Sequence, residues 1–428
     1  MSRATERRLL VSALGLVAGA ALLLAVHRPG SRGALLLFVA AYAACLFAAH
    51  LSLLRLAPSA DEFLLPLTGL VGGFGLLTLW RLQPGTAWLQ LAWDGLGLAV
   101  ALAGGAVFRS YRRLAAYRYV AGVGGLLLVA VTLLFGRTVG GARAWLAFGP
   151  LHFEPSEVTK VLLVLFLAGY LDETKELLAV PGTPSRWGIR WPNMRYLGPV
   201  LLFWGVAMLL LVGQNDLGAA LLFFGIFLSQ LYVATGRRAY VGVALLLAAA
   251  GGLAAYRIIP HVRLRVALWL NPWSDLHGRG YQTVASLFSL AAGGIWGTGI
   301  GGGRPDLIPA VTTDYAVVAW AEEWGFLGTA ALILLFLTLV ARAVQIALAA
   351  PDDYGLLLGT GLATILAIQG ATILGGLLRL FPLTGITMPF FSYGGTAALT
   401  DFMILGLLGL ISAERGRAVE PADGAGGP

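Results

Sequence analysis

Residues 35–54 read LLLFVAAYAACLFAAHLSLL and contain no Asp, Glu, Lys or Arg. A helix of this length is about 30 Å long, which matches the hydrocarbon core of a bilayer. Comparable runs recur along the 428 residues, of which 58% are hydrophobic and only 12% are charged. Soluble domains carry about 25% charged residues. The sequence therefore predicts a multi-pass membrane protein.

The apolar runs predict about twelve transmembrane helices and an all-α polytopic fold. Leu, Ala, Val and Gly dominate these runs, which favours helices over a β-barrel, whose short strands alternate in polarity. The predicted spans cover residues 8–27, 33–56, 62–81, 89–108, 117–135, 156–171, 196–213, 216–235, 239–256, 315–341, 354–377 and 395–413.

The distribution of basic residues predicts the orientation. Cytoplasmic loops are rich in Lys and Arg, and most loop cations fall on one side if the N-terminus is inside. Both termini are therefore predicted to be cytoplasmic, with residues 414–428 as a disordered tail. The net charge of +8 reflects this asymmetry and gives no reason to invoke nucleic acid. The single cysteine, Cys45, lies in a predicted span, which excludes a disulfide framework.

One predicted outer loop, residues 257–315, is much longer than the others. Its segment HVRLRVALWL (261–270) is typical of an interfacial helix, and TVASLFSLAAGGIWG (283–297) is too short to span the bilayer. The second segment is therefore predicted to be a re-entrant or surface-lying helix. The glycine-rich stretch 293–303 is interpreted as a packing turn, with a phosphate-binding nest as the alternative.

The same loop contains NPWSDLHGRGYQ (271–282), whose single carboxylate belongs to Asp275. A carboxylate at the membrane surface can serve as a general base. The alternative is structural, since WSDLHG could be a turn in which Asp275 caps a helix or pairs with Arg279.

Polar residues also flank the predicted sixth span, within GARAWLAFGPLHFEPSEVTK (141–160). Pro155 favours a helix start, which places Glu157 and Lys160 three residues apart on one face. Ionisable groups entering a membrane helix usually face a cavity or a partner. The two side chains could instead neutralise each other.

Three further polar clusters occur at predicted membrane boundaries. In QNDLG (214–218), Asp216 is interpreted first as a helix cap and second as a substrate contact. TTDYAVVAWAEEWG (312–325) carries Asp314 before a span and Glu322 and Glu323 within it, either of which could cap or pair with an arginine. TGITMPFFSYGGT (384–396) is too rich in Pro and Gly to form an ordinary span.

These segments, in this order, resemble the SEDS family of bacterial proteins (RodA, FtsW and SpoVE). The resemblance rests on GARAWL, EPSEVTK, NDLG, the region around Asp275, TTDYAVVAWAEEWGFLG and LTGITMPFFSYGG, and it is closest to the RodA-type branch. It implies a peptidoglycan glycosyltransferase that polymerises lipid II outside the membrane. The family core has ten spans, so residues 1–88 are predicted to hold about two additional helices and residues 89–413 the core.

The resemblance implies Asp275 as the catalytic base for an inverting transfer. The substrate-binding candidates are Arg143, Trp145, Glu157, Lys160, Arg279, Tyr281, Gln282, Asp314, Glu323, Ser392 and Tyr393. Cations must neutralise the leaving pyrophosphate. Lys160, Arg143 and Arg279 are candidates, and the resemblance also suggests a divalent cation, Mg²⁺ or Mn²⁺, with its ligands unknown.

The implied partners are lipid II (an undecaprenyl-pyrophosphate-linked disaccharide pentapeptide), membrane lipids and a class B penicillin-binding protein that crosslinks the product. Composition does not separate a polymerase from a transporter that flips lipid-linked precursors, or from a scaffold without chemistry. A role in elongation and one in division also stay open.

Overall fold

The computed structural model describes residues 3–27, 29–139, 141–149, 151–179 and 194–419. The described chain is mostly helical, as predicted. The helices are α1 (Ala4–His27), α2 (Arg32–Leu56), α3 (Leu64–Leu82), α4 (Pro84–Phe108), α5 (Arg118–Phe135), α6 (Pro155–Ala179), α7 (Met194–Gly213), α8 (Leu217–Thr235), α9 (Arg238–Ile258), α10 (Pro260–Leu270), α11 (Tyr281–Gly293), α12 (Ala316–Leu348), α13 (Asp353–Leu377) and α14 (Gly395–Val419). Short 3-10 helices cover Pro29–Ser31, Tyr111–Tyr117, Pro272–Asp275 and Pro305–Leu307.

Eleven of the described helices are long and apolar enough to cross a bilayer, and the protein is a multi-pass membrane protein. This count is one fewer than predicted. The remaining predicted span corresponds to α6, which is also 25 residues long. Helix α6 has charged residues at both ends, Glu157 and Lys160 near the start and the DETKE segment (172–176) near the finish, so it has no long stretch with as few charges as the other eleven helices.

The chain divides into two compact units. The first contains the described parts of Met1–Arg109, Arg265–Arg342 and Gln369–Pro428, and the second contains those of Ser110–Leu264 and Ala343–Ile368. The predicted division at residue 88 stays a prediction. Helix α14 continues to Val419, so residues 414–419 of the predicted tail are helical, and residues 420–428 lie outside the described residues.

Glycines bring the helices of the first unit close together. A side chain at Gly75 of α3 would collide with the backbone of Phe391, and one at Gly97 of α4 would lie 3.0 Å from Leu399 Cα in α14. Small residues commonly permit such approach in membrane helices. Between α13 and α14, residues 382–394 form no helix, which confirms the prediction for the segment around Pro389.

Helix α12 is broken at Gly325, whose φ of 68° and ψ of −168° are not helical. The glycine-rich stretch replaces the missing helical hydrogen bonds. Thr298 N and Gly299 N donate to the carbonyls of residues 322 and 323, and the N–H groups of residues 326 and 327 donate to those of residues 294 and 295. The interpretation of this stretch as a packing turn is therefore confirmed.

The predicted long loop contains both of the expected short helices, α10 and α11. The second unit also holds an antiparallel three-stranded sheet that the sequence analysis did not predict. Its strands are β1 (Arg137–Val139), β2 (Ala142–Phe148) and β3 (Leu151–Phe153), in the order β1-β2-β3. The GARAWL motif lies in β2, so this motif is extended rather than helical.

Candidate functional site

Asp275 ends a 3-10 helix in the first unit and is exposed to solvent. Its Oδ2 atom accepts a hydrogen bond of 2.9 Å from the backbone N–H of Arg279. Its carbonyl oxygen accepts a further bond of 3.2 Å from Gly280 N. Of the two structural alternatives, Asp275 does not cap α11, whose N-cap is Gly280, and its contact with Arg279 is to the backbone N–H. An exposed carboxylate held in this way can still accept a proton through its other oxygen.

Two glycines allow the chain to fold around this carboxylate. A Cβ atom at Gly278 would collide with both carboxylate oxygens of Asp275. A Cβ atom at Gly280 would collide with the carbonyl oxygen of Pro272 and lie 2.7 Å from that of Asp275. The HGRG sequence thus sets the position of Asp275 because only glycine fits at these two positions.

The next residues connect Asp275 to α12. Arg279 and Tyr281 are exposed, Gln282 is half-buried, and the Tyr281 hydroxyl donates to the Leu307 carbonyl at 3.3 Å. Thr283 hydrogen-bonds to the phenol of Tyr315, whose pKa is raised to about 12 mainly by burial. The start of α11 is thereby fixed beside the segment that carries Asp314.

Asp314 precedes α12 and lies near Arg265 of α10. Burial raises the pKa of the Asp314 carboxyl above its ordinary value, while a hydrogen bond from Thr313 and the charge of Arg265 act in the opposite direction. Arg265 Nη1 donates to the carbonyls of Leu383 and Thr384, at 3.3 and 3.0 Å. Asp314 is therefore a half-buried acid, and the positive charge of Arg265 partly balances its negative charge.

The two carboxylates inside α12 have structural partners. Glu323 forms an ion pair with Arg81 of α3, with 2.7 Å between Oε1 and Nε. Glu322 Oε1 accepts a hydrogen bond of 2.7 Å from the backbone N–H of Arg304. Both alternatives considered for these acids therefore occur, one pairing with an arginine and the other capping a turn. A role of Glu323 in substrate binding stays a prediction.

Ser392 and Tyr393 lie in the irregular segment before α14. Ser392 is buried, and its Oγ accepts a hydrogen bond of 3.3 Å from Met388 N. Tyr393 N donates to the carbonyl of Thr312 at 2.8 Å. The structure thus joins this segment to the one that carries Asp314, as the sequence could not show.

In the second unit, Glu157 and Lys160 form an ion pair on the first turns of α6, and the Lys160 side chain is completely buried. The neighbouring Glu154, which the sequence analysis overlooked, is a third ionisable group in this cluster. Burial, followed by the charges of Glu157 and Asp216, raises the pKa of Glu154 well above its ordinary range. Ser156 Oγ donates to Glu154 Oε1 at 2.9 Å. The cluster is rich in carboxyl groups and has one buried ammonium.

The turn before α8 brings Asp216 near Glu154 of this cluster. Asp216 caps α8 by accepting a bond of 3.0 Å from Ala219 N, which confirms the preferred interpretation. The carbonyl of Gln214 accepts a bond of 2.8 Å from Arg143 N in β2. The guanidinium of Arg143 donates to the carbonyls of Gly136 and Leu133, at 3.0 and 3.1 Å. Arg143 thus stabilises the end of α5, and Trp145 lies opposite Arg137 in the sheet.

The predicted residues are divided between the two units. Asp275, Arg279, Tyr281, Gln282, Asp314, Glu323, Ser392 and Tyr393 belong to the first unit, and Arg143, Trp145, Glu157 and Lys160 belong to the second. Within the parts of the chain that the structure describes, no three His, Cys, Asp or Glu side chains form a group that could hold a metal ion. A bound Mg²⁺ or Mn²⁺ stays a prediction.

The model of the FtsW/RodA/SpoVE family, described as "Cell cycle protein", matches residues 83–417. This chain belongs to the FtsW/RodA/SpoVE family. Peptidoglycan glycosyltransferase RodA of Mycobacterium tuberculosis is 39% identical over 377 residues, which cover 85% of this chain and 80% of the relative. Stage V sporulation protein E of Bacillus subtilis is 33% identical over 285 residues, which cover 66% of this chain and 75% of the relative.

Solved structures of family members share this fold. The structure of a chain titled "Structural coordination of polymerization and crosslinking by a peptidoglycan synthase complex" has a TM-score of 0.68 and 32% identity, and the match covers 83% of this chain and 98% of that one. The crystal structure of Thermus thermophilus RodA has a TM-score of 0.59 and 29% identity, with the same shares covered. The resemblance drawn from the sequence motifs is thereby confirmed.

Proposed function

We propose that this chain is a RodA-type peptidoglycan glycosyltransferase that polymerises lipid II, with Asp275 as its general base. The observation that carries the proposal is the exposed Asp275 carboxylate, which the turn 278–280 holds at the start of the long loop. Membership of a family whose relatives are named peptidoglycan glycosyltransferase supports the reaction. The higher identity to RodA than to SpoVE supports a role in elongation rather than in sporulation or division.

The reaction joins the 4-hydroxyl of an acceptor GlcNAc to the anomeric carbon of a second lipid II molecule. The Asp275 carboxylate takes the hydroxyl proton as the new C–O bond forms and the bond to the lipid pyrophosphate breaks. Pyrophosphate is a good leaving group when cations neutralise its charge, so one carboxylate suffices, whereas glycosidases use two. A single displacement inverts the α-linked donor to a β-linked product.

The leaving pyrophosphate requires positive charge. Arg279 lies four residues after Asp275, and its side chain is exposed. Its backbone N–H donates a hydrogen bond to the Asp275 carboxylate. Lys160 carries an ammonium, but Glu157 occupies it in the absence of substrate. A contribution from Mg²⁺ or Mn²⁺ is tested by adding EDTA to the assay.

The proposal includes an orientation and a partner. Both termini face the cytoplasm, which places Asp275 on the outer side, where polymerisation occurs. The apolar surfaces of the helices contact membrane lipids and the polyprenyl tails. A class B penicillin-binding protein assembles with this chain and crosslinks the product, since a related structure is titled as a peptidoglycan synthase complex.

The test is a polymerisation assay with purified protein and lipid II, in which glycan strands are separated by size. We expect Asp275→Ala to lower the rate by ~100-fold to ~10,000-fold, the usual contribution of a general base. Asp306→Ala is the matched control, because Asp306 is another exposed acid of the same loop and pairs with Arg304 at 3.5 Å. An active Asp275→Ala enzyme would exclude Asp275 as the base.

The same preparation tests the alternatives. Absence of polymer from the wild type, even with a class B penicillin-binding protein, together with transfer of labelled lipid II across liposomes, would favour a flippase. Loss of growth in site variants that still polymerise would favour a scaffold.

A further inference from the structure

Two buried side chains accept hydrogen bonds from the irregular segment 390–394, and a third bonds to one of them. Asp401 Oδ2 of α14 accepts a hydrogen bond of 3.1 Å from Phe390 N. Gln90 Oε1 of α4 accepts one of 3.0 Å from Gly394 N. Gln90 Nε2 donates in turn to Asp94 Oδ1 at 2.9 Å. Asp401, Gln90 and Asp94 are each less than 10% exposed, so both acceptors are shielded from solvent.

These bonds stabilise the segment because residues 382–394 form no helix and so lack helical backbone hydrogen bonds. A buried backbone N–H without a partner destabilises the fold, because it has lost its hydrogen bond to water. Phe390 also has a φ of 62°, in the left-handed region that a bulky residue rarely adopts. Such a conformation persists only when its surroundings determine it. Asp401 and Gln90 therefore select one shape for this segment.

The conformation of this segment also affects the residues proposed for substrate binding, because the two are in contact. Tyr393, adjacent to Gly394, donates its N–H to Thr312, two residues before Asp314. At the other end of the segment, Gly385 lies close to both Asp314 and Arg265. A shift of residues 390–394 would thus be transmitted by backbone contacts to Asp314.

We infer that Gln90 and Asp401 are positioning residues, which hold segment 390–394 and through it Asp314 in the geometry that binds lipid II. This inference rests on the proposed function for its effect on activity, but not for its effect on the backbone. None of these three side chains was among the residues singled out from the sequence, since an isolated polar residue in a span gives no indication of its partner.

Substitutions can separate the hydrogen bond from the side-chain volume. Asp401→Asn keeps an oxygen that can accept from Phe390 N, whereas Asp401→Leu has a similar size and no acceptor. Gln90→Met likewise keeps the volume and removes the acceptor for Gly394 N. Thr78→Val is the matched control, because Thr78 is a buried polar residue of α3 whose hydroxyl donates to Phe74 O of its own helix at 2.9 Å.

The first experiment is hydrogen exchange measured by mass spectrometry on the peptide that contains residues 388–394. We expect faster exchange in Asp401→Leu and Gln90→Met, and wild-type exchange in Asp401→Asn and Thr78→Val. Unchanged exchange in both Asp401→Leu and Gln90→Met would overturn the inference. This experiment needs no substrate, so its result stands whether or not the chain polymerises lipid II.

The second experiment is a double-mutant cycle in the polymerisation assay. A misplacement of about 1 Å can lower a rate ~100-fold, so we expect Gln90→Met to reduce kcat by that order and Asp401→Asn to restore most of the activity that Asp401→Leu loses. If Gln90 acts through Asp314, Gln90→Met has little further effect in an Asp314→Asn background, since coupled residues are not additive. Full additivity would contradict a positioning role, and inactivity of the wild type would contradict the proposed function alone.

Discussion

Arg81 in α3 and Glu323 in α12 form a buried ion pair, in which each side chain is less than 10% exposed. Arg81 Nη2 also donates to the carbonyl of Gly303 at 2.7 Å, so one guanidinium joins α3, α12 and the glycine-rich stretch. Burying two charges is costly, and removal of one partner leaves the other uncompensated. The pair therefore holds α3, α12 and the glycine-rich stretch together.

We expect Arg81→Met to destabilise the protein by ~3–5 kcal/mol, as is typical when one partner of a buried pair is removed. The double variant Arg81→Met/Glu323→Leu should be less destabilised, because no charge is left unpaired. Thermal unfolding in detergent measures both. Arg112→Met is the control, since the exposed Arg112–Asp352 pair should contribute about 1 kcal/mol or less. A stable Glu323→Leu variant that fails to polymerise would instead favour the predicted substrate role.

Gly278→Ala should impair catalysis without preventing folding. The added methyl group collides with the Asp275 carboxylate, which must move on an exposed turn. Because a general base has to reach hydrogen-bond distance of its hydroxyl, we expect a rate loss of ~100-fold in the lipid II assay. Gly30→Ala is the matched control, since nothing lies within 4 Å of its added carbon. Normal activity of Gly278→Ala would indicate that the position of Asp275 is not critical.

Gly325→Ala should destabilise the first unit strongly. Gly325 has a φ of 68°, and an added Cβ atom would collide with Gly297 N and lie 2.6 Å from the Ile295 carbonyl. Backbone strain of this kind costs ~1–3 kcal/mol before the collision is counted. Yield and unfolding temperature measure the effect. Gly409→Ala in α14, which meets nothing within 4 Å, should be neutral or slightly stabilising, and equal behaviour of the two variants would contradict the account.

Glu154→Gln should stabilise the protein at neutral and higher pH. Burial, Glu157 and Asp216 raise the pKa of Glu154, so the folded state holds a proton that the unfolded state releases above about pH 4.3. The stability associated with a neutral Glu154 is complete below that pH and is lost as pH rises towards the raised pKa. Gln removes this dependence.

The difference in unfolding temperature between Glu154→Gln and wild type should thus grow from pH 4.5 to pH 8. Glu176→Gln, at the exposed end of α6, should show no such trend. A difference that is constant with pH would mean that Glu154 titrates normally.

Most of the architecture follows from local composition. Long apolar runs specify spanning helices whatever they contact, and the two short helices of the long loop are each encoded by a continuous segment, α10 and α11. The cap at Asp216 was also predictable, because an acid before a helix acts on its own neighbours. Motif order was enough to indicate the family.

The remaining features depend on contacts between distant segments. Glu323 bonds to a residue 242 positions away, and no local pattern in α3 indicates that Arg81 is its partner. The sheet around Ala144 was missed because its strands are short and lack clear alternation. Glu154 was overlooked since its burial arises from the packing of α6 against other elements, not from its neighbours in sequence.

The break in α12 has a consequence for the order of assembly. Residues 293–299 leave the ribosome before residues 322–327, yet their backbone groups are bonded to each other in the finished protein. The glycine-rich stretch therefore cannot complete its backbone hydrogen bonds until residues 322–327 have been synthesised. The turn around Asp275 differs in this respect, because its hydrogen bonds to residues 278–280 are local and can form before α12 is made.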